Sequence, residues 1–331
     1  MSQDERPLMV TIRCTTYNHE PYIRECLEGF VMQKTNFRFE AIVHDDASTD
    51  GTAAIILEYA DKYPDIIKPI IETENQYSKG DGSIGRIIDA QTRGKYIAIC
   101  EGDDYWIDPL KLQKQVDILE QNSECSLVVS SCYVYDMANA LYYEASPIPI
   151  NESRFLTMHE VLREEGGLIP TASMCLKKVI FDSRPKEFGT QYVGDRPLRI
   201  WCAINGTVYY DVNRLTVYRM GAAGSFGQRT RANKELAKTN LTQMNRFYDY
   251  FDKYTNFKFH EDVEYLKNRE EYLCLSNIRS VQQFKCAHFK GLPIKTKLIM
   301  IVKSLINSLF PSVIGKFKHC SKRYLRNLPK N

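Results

Sequence analysis

KYIAICEGDDYW, residues 95–106, passes abruptly from apolar to acidic. Ile97, Ala98, Ile99 and Cys100 run without a charge, the composition of a strand covered on both faces of a sheet. Glu101, Gly102, Asp103 and Asp104 follow at once, so acid arrives where the strand ends. In open α/β sheets ligands gather beyond the carboxyl ends of strands, and carboxylates clustered there can hold a divalent cation and, through it, a polyanion. An isolated Asp-Asp is more often a solvated turn. Here the strand before it, and Asp108-Pro109 after it as N-cap and first residue of a helix, make the functional reading the equal of the bland one.

Upstream, the same pattern occurs twice more. Leu8–Cys14 predicts a strand that runs into Thr15-Thr16-Tyr17-Asn18 and, through Pro21, into a helix with Ile23, Leu27 and Val31 on one face. Phe37–His44 predicts a second strand, ending in Asp45-Asp46 and followed by a helix marked by Ile55, Ile56, Tyr59 and Tyr63. Ser48, Thr49 or Asp50 suits its N-cap; Asp45 and Asp46 are less easily spent that way. Ile66–Ile71 reads as a third strand, and residues 84–93 as a short helix after a Gly- and Ser-rich loop. Repeated β-to-α passages imply a largely parallel sheet flanked by helices, with Thr15/Tyr17, Asp45/Asp46 and Asp103/Asp104 along one edge. No Gly-x-Gly-x-x-Gly follows the first strand and no Walker sequence occurs, which counts against a dinucleotide oxidoreductase or a P-loop NTPase.

Downstream, Leu112, Val116 and Leu119 continue at helical spacing and 126–135 reads as a strand. Residues 136–168, with Pro147 and Pro149, read as an irregular connection, and 171–180 as strand-like. Asp195 precedes Arg196-Pro197-Leu198 and an apolar helix, so from the residues alone an N-cap is favoured. Residues 207–212 and 215–220 read as two strands, 221–231 as a flexible loop beside Arg229 and Arg231, and 233–254 and 261–289 as two helices. In 295–310, Leu298, Ile301, Val302, Leu305, Ile306 and Leu309 share a face, interrupted for membrane spanning by Lys297, Lys303 and Pro311. Either this helix docks on the protein's own core or it lies on an anionic membrane surface, with basic residues continuing to Arg326.

Composition supports that division. The net charge of +3 combines +12 from residues 272–331, which hold no acid, with −9 from the remainder. A basic tail of this kind points to an anionic surface. Phe317 and Tyr324 are too few as stacking platforms for nucleic acid, which is not expected as a partner. Ten cysteines without a Cys-x-x-Cys pair, several inside apolar runs, predict reduced buried thiols, and no export signal is read at the start. The expected location is cytoplasmic, peripheral on the inner face of the membrane.

Four motifs in order, VTIRCTTYNHEPYI, FEAIVHDDASTDGT, ENQYSKG and RGKYIAICEGDDYWIDPLKLQKQV, resemble the nucleotide-binding half of family 2 glycosyltransferases, closely over 8–135 and more loosely to about 225. The resemblance implies the GT-A fold: an α/β, Rossmann-like, mixed and mostly parallel sheet flanked by helices, with a C-terminal helical extension. It implies a transferase domain over 1–225, split into a nucleotide-binding half (8–135) and an acceptor half (136–225), with 226–331 as the extension. Thr15, Tyr17, Asp45, Asp46 and Asp103 are then donor-binding, Asp46 ahead of Asp45. Asp103, Asp104 and Glu101 take the place of the family's Asp-x-Asp metal motif, with Glu101 standing where the first Asp is usual. Asp195 becomes the general base, a role compatible with capping.

The resemblance further implies Mn²⁺ or Mg²⁺ and inverting transfer of a single sugar from a nucleoside diphosphate sugar, expected to be a UDP-sugar, to a glycan or lipid-linked hydroxyl acceptor. Bacterial surface polysaccharide or glycolipid synthesis is the expected setting. Tyr218-Arg219 lacks the usual following His, and the Gln-x-x-Arg-Trp of processive members is absent. A nucleotidyltransferase, or a catalytically silent sugar-nucleotide binder docked at a membrane, is the competing reading.

Overall fold

The computed structural model describes residues 5–145, 152–164, 169–189, 194–309, 324–325 and 328. The chain forms two compact units: Met1–Val134 with Ala145–Pro185 and Leu198–Arg219, and Tyr135–Glu144 with Lys186–Pro197 and Met220–Asn331.

In the first unit β1 (Leu8–Thr16), α1 (Glu20–Val31), β2 (Arg38–Asp45), α2 (Thr52–Lys62), β3 (Ile67–Ile71), α3 (Ser83–Gln91) and β4 (Tyr96–Ile99) alternate. The strands lie in the order β3-β2-β1-β4, and every neighbouring pair is parallel. Parallel neighbours require crossovers, which the intervening helices supply. β1 is central, and Val10, Ile12 and Cys14 on it are wholly buried with Ile23, Cys26, Leu27 and Phe30 of α1. Burying a side chain of that size contributes about 1.5–3 kcal/mol, so the α1–β1 seam is a main stabilising contact of this unit.

Next come β5 (Tyr105–Trp106), α4 (Lys111–Gln121), β6 (Cys125–Asp136), β7 (Leu141–Ala145), β8 (Arg154–Leu156), α5 (Met158–Arg163), β9 (Cys175–Lys177), α6 (Lys178–Asp182), α7 (Asp195–Ile204) and β10 (Thr207–Met220). β9 is antiparallel to both β4 and β6, and β10 is antiparallel to β5 and β8. The sheet is therefore mixed, with its parallel part carrying the three acidic or polar strand ends. Trp106 locks β5 down: its indole N–H donates to the Ala172 carbonyl at 2.9 Å and its ring meets Phe30 at 5.0 Å.

The second unit is mainly helical, with α8 (Phe226–Ala232), α9 (Lys234–Tyr254), α10 (His260–Asn277), α11 (Ala287–Gly291) and α12 (Ile294–Leu309), and β11 (Tyr324–Leu325) antiparallel to β7. Asn233 caps α9 by accepting the Glu235 and Leu236 N–H groups at 3.0 and 3.1 Å. Met244, Phe247, Tyr248 and Phe251 form its buried stripe, and Phe188 packs edge-on against Phe247. Met300 and Ile301 of α12 pack on Tyr272, Cys286 and Phe289, whereas Ile294, Leu298 and Val302 are 76%, 58% and 51% exposed. Among the described residues no helix is long and apolar enough to cross a membrane.

Several local expectations change. The helix after Asp108 begins at Lys111, because the Asp108 carboxylate accepts the Leu110 N–H at 2.7 Å and closes a separate turn first. The 136–168 connection contains β7, β8 and α5; Thr157-x-x-Glu160 forms a capping box for α5, a sequence signal that was there to be read. The 171–180 segment is a 3-10 turn followed by β9 and the start of α6, because the backbone leaves the sheet after Lys177. The two strands after Gly206 are the single β10. Arg229 and Arg231 lie on α8, so the loop ends at Ser225. α10 stops at Asn277, where Arg279 adopts φ 54°, and a 3-10 turn and α11 replace the rest of the expected helix. Of the expected basic tail, 310–323 and Arg326 lie outside the described residues.

Candidate active site

Three loops leave the carboxyl edge of the parallel sheet at β1, β2 and β4, and β1 touches both neighbours. The Thr15 carbonyl accepts the Gly102 N–H at 3.0 Å, and the Thr16 carbonyl accepts the Asp46 N–H at 3.0 Å. Thr15, Tyr17, Asp45, Asp46, Glu101 and Asp103 are thereby brought to one edge, as their strand-end positions imply.

The loops after β1 and β2 interlock. Asn18, at φ 54°, accepts the Thr49 N–H at 2.8 Å through its amide oxygen and donates its own N–H to Ser48 Oγ at 2.8 Å. Asn tolerates that left-handed backbone better than most residues. Asp50 accepts the Thr52 N–H at the start of α2 and the Glu20 N–H at the start of α1, so it serves two helix ends. Asp45 takes the Ser48 N–H at 3.0 Å, Ser48 Oγ at 2.5 Å and Thr16 Oγ1 at 3.1 Å. Asp46 takes the Gln76 and Tyr77 N–H groups at 2.6 and 3.1 Å, which anchors the loop after β3. Both carboxylates are buried and set the shape of the site from within.

The acidic loop is graded by burial. Glu101 and Asp103 are half-buried, while Asp104 is 1% exposed and accepts the Arg219 N–H at 2.9 Å. Burial, then the neighbouring Asp103 and Glu101, pushes the Asp104 carboxyl well above the usual carboxylate range. Gly102 has no room for a side chain: a Cβ would stand 2.5 Å from Thr16 Cγ2 and 2.8 Å from His19 Nδ1. Behind the loop, Cys26 Sγ lies 4.0 Å from both Cys14 and Cys100 Sγ. Burial raises the Cys26 and Cys100 thiols well above their ordinary value, so they pack as small apolar groups. All nine described cysteines are free and buried.

Two side chains that the sequence reading did not select complete the site. Arg219, 3% exposed, donates to the Asp103 carbonyl at 2.6 Å, pairs with Glu25, and lies 4.4 Å from the Tyr105 ring and 5.3 Å from the Tyr22 ring. It holds the acidic loop by its backbone while leaving the Asp103 carboxylate to other uses. Its place in the Tyr-Arg pair ending β10 was visible, but the contact with a loop 116 residues away was not. His19 has a buried Nδ1 without a hydrogen-bond partner. Desolvation lowers its pKa against the opposing pull of Asp103, which favours the neutral ring.

Among the described residues, no cluster of three or more His, Cys, Asp or Glu is set to hold a metal ion. A hard divalent cation that keeps waters and takes its remaining oxygens from substrate phosphates needs only one or two carboxylates. Asp103 and Glu101, half-buried beside an Asp104 carboxyl disfavoured as an anion first by burial and then by like charge, fit that donor set. Asp195 is the first residue of α7, in the second unit, and is partly buried. The next residue, Arg196, pairs with Glu270 and donates to Tyr248 Oη at 2.9 Å, anchoring the helix start to α9 and α10.

The sequence model for the family described as "Glycosyl transferase family 2" matches residues 11–182, more than half of the chain. A glucosyltransferase of Escherichia coli, UDP-Glc:alpha-D-GlcNAc-diphosphoundecaprenol beta-1,3-glucosyltransferase WfaP, is 32% identical over 220 residues, 66% of this chain and 79% of that one. An uncharacterized protein of Mycobacterium tuberculosis is 47% identical over 118 residues, 36% of this chain; the match spans 33% of the mycobacterial protein's length. In fold, the chain resembles the mannosyltransferase PcManGT of Pyrobaculum calidifontis, solved with GDP-Man and Mn²⁺ (TM-score 0.57, 16% identity, covering 94% of this chain and 85% of that one). It also resembles S. aureus TarS 1-349 in complex with UDP-GlcNAc (TM-score 0.55, 14% identity, 91% and 81%).

Proposed function

The chain belongs to glycosyl transferase family 2, with a GT-A fold, and from that premise we propose that it transfers one sugar, with inversion, from a nucleoside diphosphate sugar to a hydroxyl acceptor. Residues 1–225 act as the transferase domain and 226–331 as its helical extension. The observation that carries the reading is the pair of backbone hydrogen bonds by which β1 gathers the Tyr17, Asp46 and Asp103 loops on one sheet edge. Thr15 and the exposed Tyr17 ring offer the base a polar contact and a flat face. Asp45 and Asp46 keep the β2 and β3 loops in register beside them.

Asp103, with Glu101, would hold Mn²⁺ or Mg²⁺, which when bound supplies positive charge opposite a diphosphate. The chain's own part is to fix that carboxylate: Arg219 clamps the Asp103 peptide and Gly102 lets the loop lie against Thr16 and His19. A preorganised loop costs no rearrangement when charge develops on the leaving group. Asp195 accepts the proton of the acceptor hydroxyl as that oxygen attacks the anomeric carbon from the opposite face.

UDP-sugars are the first donors to test, in keeping with the names of the WfaP relative and of the TarS complex. The WfaP name also supports a lipid-linked glycan acceptor; surface polysaccharide or glycolipid synthesis at the inner face of a membrane is the setting we propose. The exposed stripe Ile294, Leu298 and Val302, beside exposed Lys295, supports docking of α12 on an anionic bilayer. A thermal-shift and hydrolysis screen of UDP-glucose, UDP-N-acetylglucosamine and GDP-mannose with Mn²⁺ or Mg²⁺ tests the reading. Stabilisation with release of the nucleoside diphosphate is expected; no response to any nucleoside diphosphate sugar refutes it.

A further inference from the structure

Within the first unit, His19 precedes α1 and packs against the acidic loop, and its backbone is fully engaged. Its N–H donates to Thr52 Oγ1 at 2.8 Å, and its carbonyl accepts the Tyr22 and Ile23 N–H groups at 2.8 Å each. The side chain makes no capping hydrogen bond to α1. The ring meets buried Tyr22 edge-on, with centroids 6.2 Å apart, so packing fixes its orientation. Nδ1 is the buried nitrogen and faces Gly102, where a Cβ would stand 2.8 Å away. A glycine hydrogen occupies that direction, and it meets a bare lone pair more favourably than an N–H. A proton on Nδ1 would be a buried donor left unmade, in the imidazolium as in the Nδ1–H tautomer. The neutral ring therefore carries its proton on Nε2, at the open edge of a half-buried side chain. Among the described residues that donor has no hydrogen-bond partner.

We infer that His19 is a diphosphate-binding residue whose Nε2–H donates to a phosphoryl oxygen of the nucleoside diphosphate, an inference that rests on the glycosyl-transfer reading above. Of the charged groups around the ring, Asp103 acts on it most strongly, ahead of Asp50 and Asp45. A cation held at Asp103 draws phosphate oxygens to that carboxylate, and His19 stands beside it as an uncommitted donor. A hydrogen bond to an ionised oxygen is stronger than one between neutral groups, so the donor favours the leaving diphosphate as its charge grows. Because Tyr22 and Gly102 hold the ring, it needs no rearrangement when that charge develops. A protonated Nε2 has no lone pair for the cation, which separates this role from metal ligation.

Calorimetric titration of the full chain with UDP, GDP and ADP in the presence of Mn²⁺ tests the assignment. His19→Ala is expected to weaken diphosphate binding about tenfold or more. His19→Gln, whose amide nitrogen takes the place of Nε2, is expected to stay within about threefold of the wild type, whereas His19→Asn, whose amide takes the place of Nδ1, falls with the alanine variant. Wild-type affinity in His19→Ala overturns the inference, as do equal losses in all three variants, the mark of a packing role, or Asn outperforming Gln. Nitrogen-15 NMR of the histidine ring in the wild type needs no variant: Nε2 is expected to be the protonated nitrogen before and after the diphosphate binds, and a proton on Nδ1 overturns the inference. A wild type that binds no nucleoside diphosphate overturns the transfer reading, and this one with it, so the two failures are distinguishable.

Discussion

Replacing Arg219 by Met tests how the acidic loop is held. The substitution keeps the backbone N–H that Asp104 accepts at 2.9 Å and removes only the guanidinium. Four contacts are lost, of which the 5.3 Å approach to the Tyr22 ring is the longest. The hydrogen bond to the Asp103 carbonyl at 2.6 Å is charge-assisted and partly buried, a class contributing about 1.5–3 kcal/mol. The pair with Glu25, whose side chain is 63% exposed, contributes about 0–1 kcal/mol because solvent screens it. The face of Tyr105 at 4.4 Å adds about 0.5–2 kcal/mol, of which the Met side chain recovers part by packing. The Asp103 bond is therefore the decisive term, and a loss of about 2–3 kcal/mol is expected. At about 2–4 °C per kcal/mol for a unit of this size, the melting temperature falls by roughly 4–12 °C. Calorimetric titration of UDP and GDP with Mn²⁺ reads the functional consequence: an affinity loss of about tenfold, or 1.4 kcal/mol, with Arg219→Lys intermediate because a point charge cannot reproduce the fork. Nucleotide affinity within a factor of two of wild type, in a variant whose melting temperature has fallen, would refute the idea that Arg219 positions the loop for its ligand.

Further outcomes follow from the same geometry. Asp195→Asn is expected to lower transfer by at least about 100-fold while nucleotide binding is kept; near-normal turnover removes it as the base. Gly102→Ala forces Thr16 or His19 aside and should weaken Mn²⁺-dependent nucleotide binding, which titration against the wild type checks. Lys111 is wholly buried with its Nζ 3.9 Å from the Trp106 ring centre, and burial lowers its pKa from 10.5 to about 8. The unfolded chain then binds more protons between pH 8 and 10.5, so stability rises with pH across that window and the burial cost, about 3 kcal/mol, is complete below pH 8. Lys111→Met should lack this rise, and urea denaturation at pH 7.5 and pH 10 giving parallel changes in both proteins would contradict it. Ile294→Glu with Leu298→Glu should abolish flotation with vesicles containing anionic lipid; equal flotation of variant and wild type excludes α12 as the docking element.

Strand ends were legible because the signals are local. An apolar run followed at once by Asp45-Asp46 or Glu101-Gly102-Asp103 reports both a buried strand and the polar edge where it stops, and the four spaced motifs carried the family with them. The helix over 233–254 was legible for the same reason, since periodicity needs no partner to be seen. Position 108 misled because an Asx turn and an N-cap use the same residue, and only the path of the backbone tells them apart.

By itself, then, the amino-acid sequence determined the alternation of strands and helices, the family, and which loops carry acid. Only the tertiary structure decided what each acid touches. Asp45, Asp46 and Asp104 look alike in the sequence beside Asp103, yet burial and partners turn the first two into anchors for neighbouring loops and the third into an acceptor for the backbone of Arg219. Glu101 and Asp103 stay half-buried at the edge. That sorting depends on solvent access and on a hydrogen bond spanning 116 residues, quantities that exist only once the chain has closed on itself.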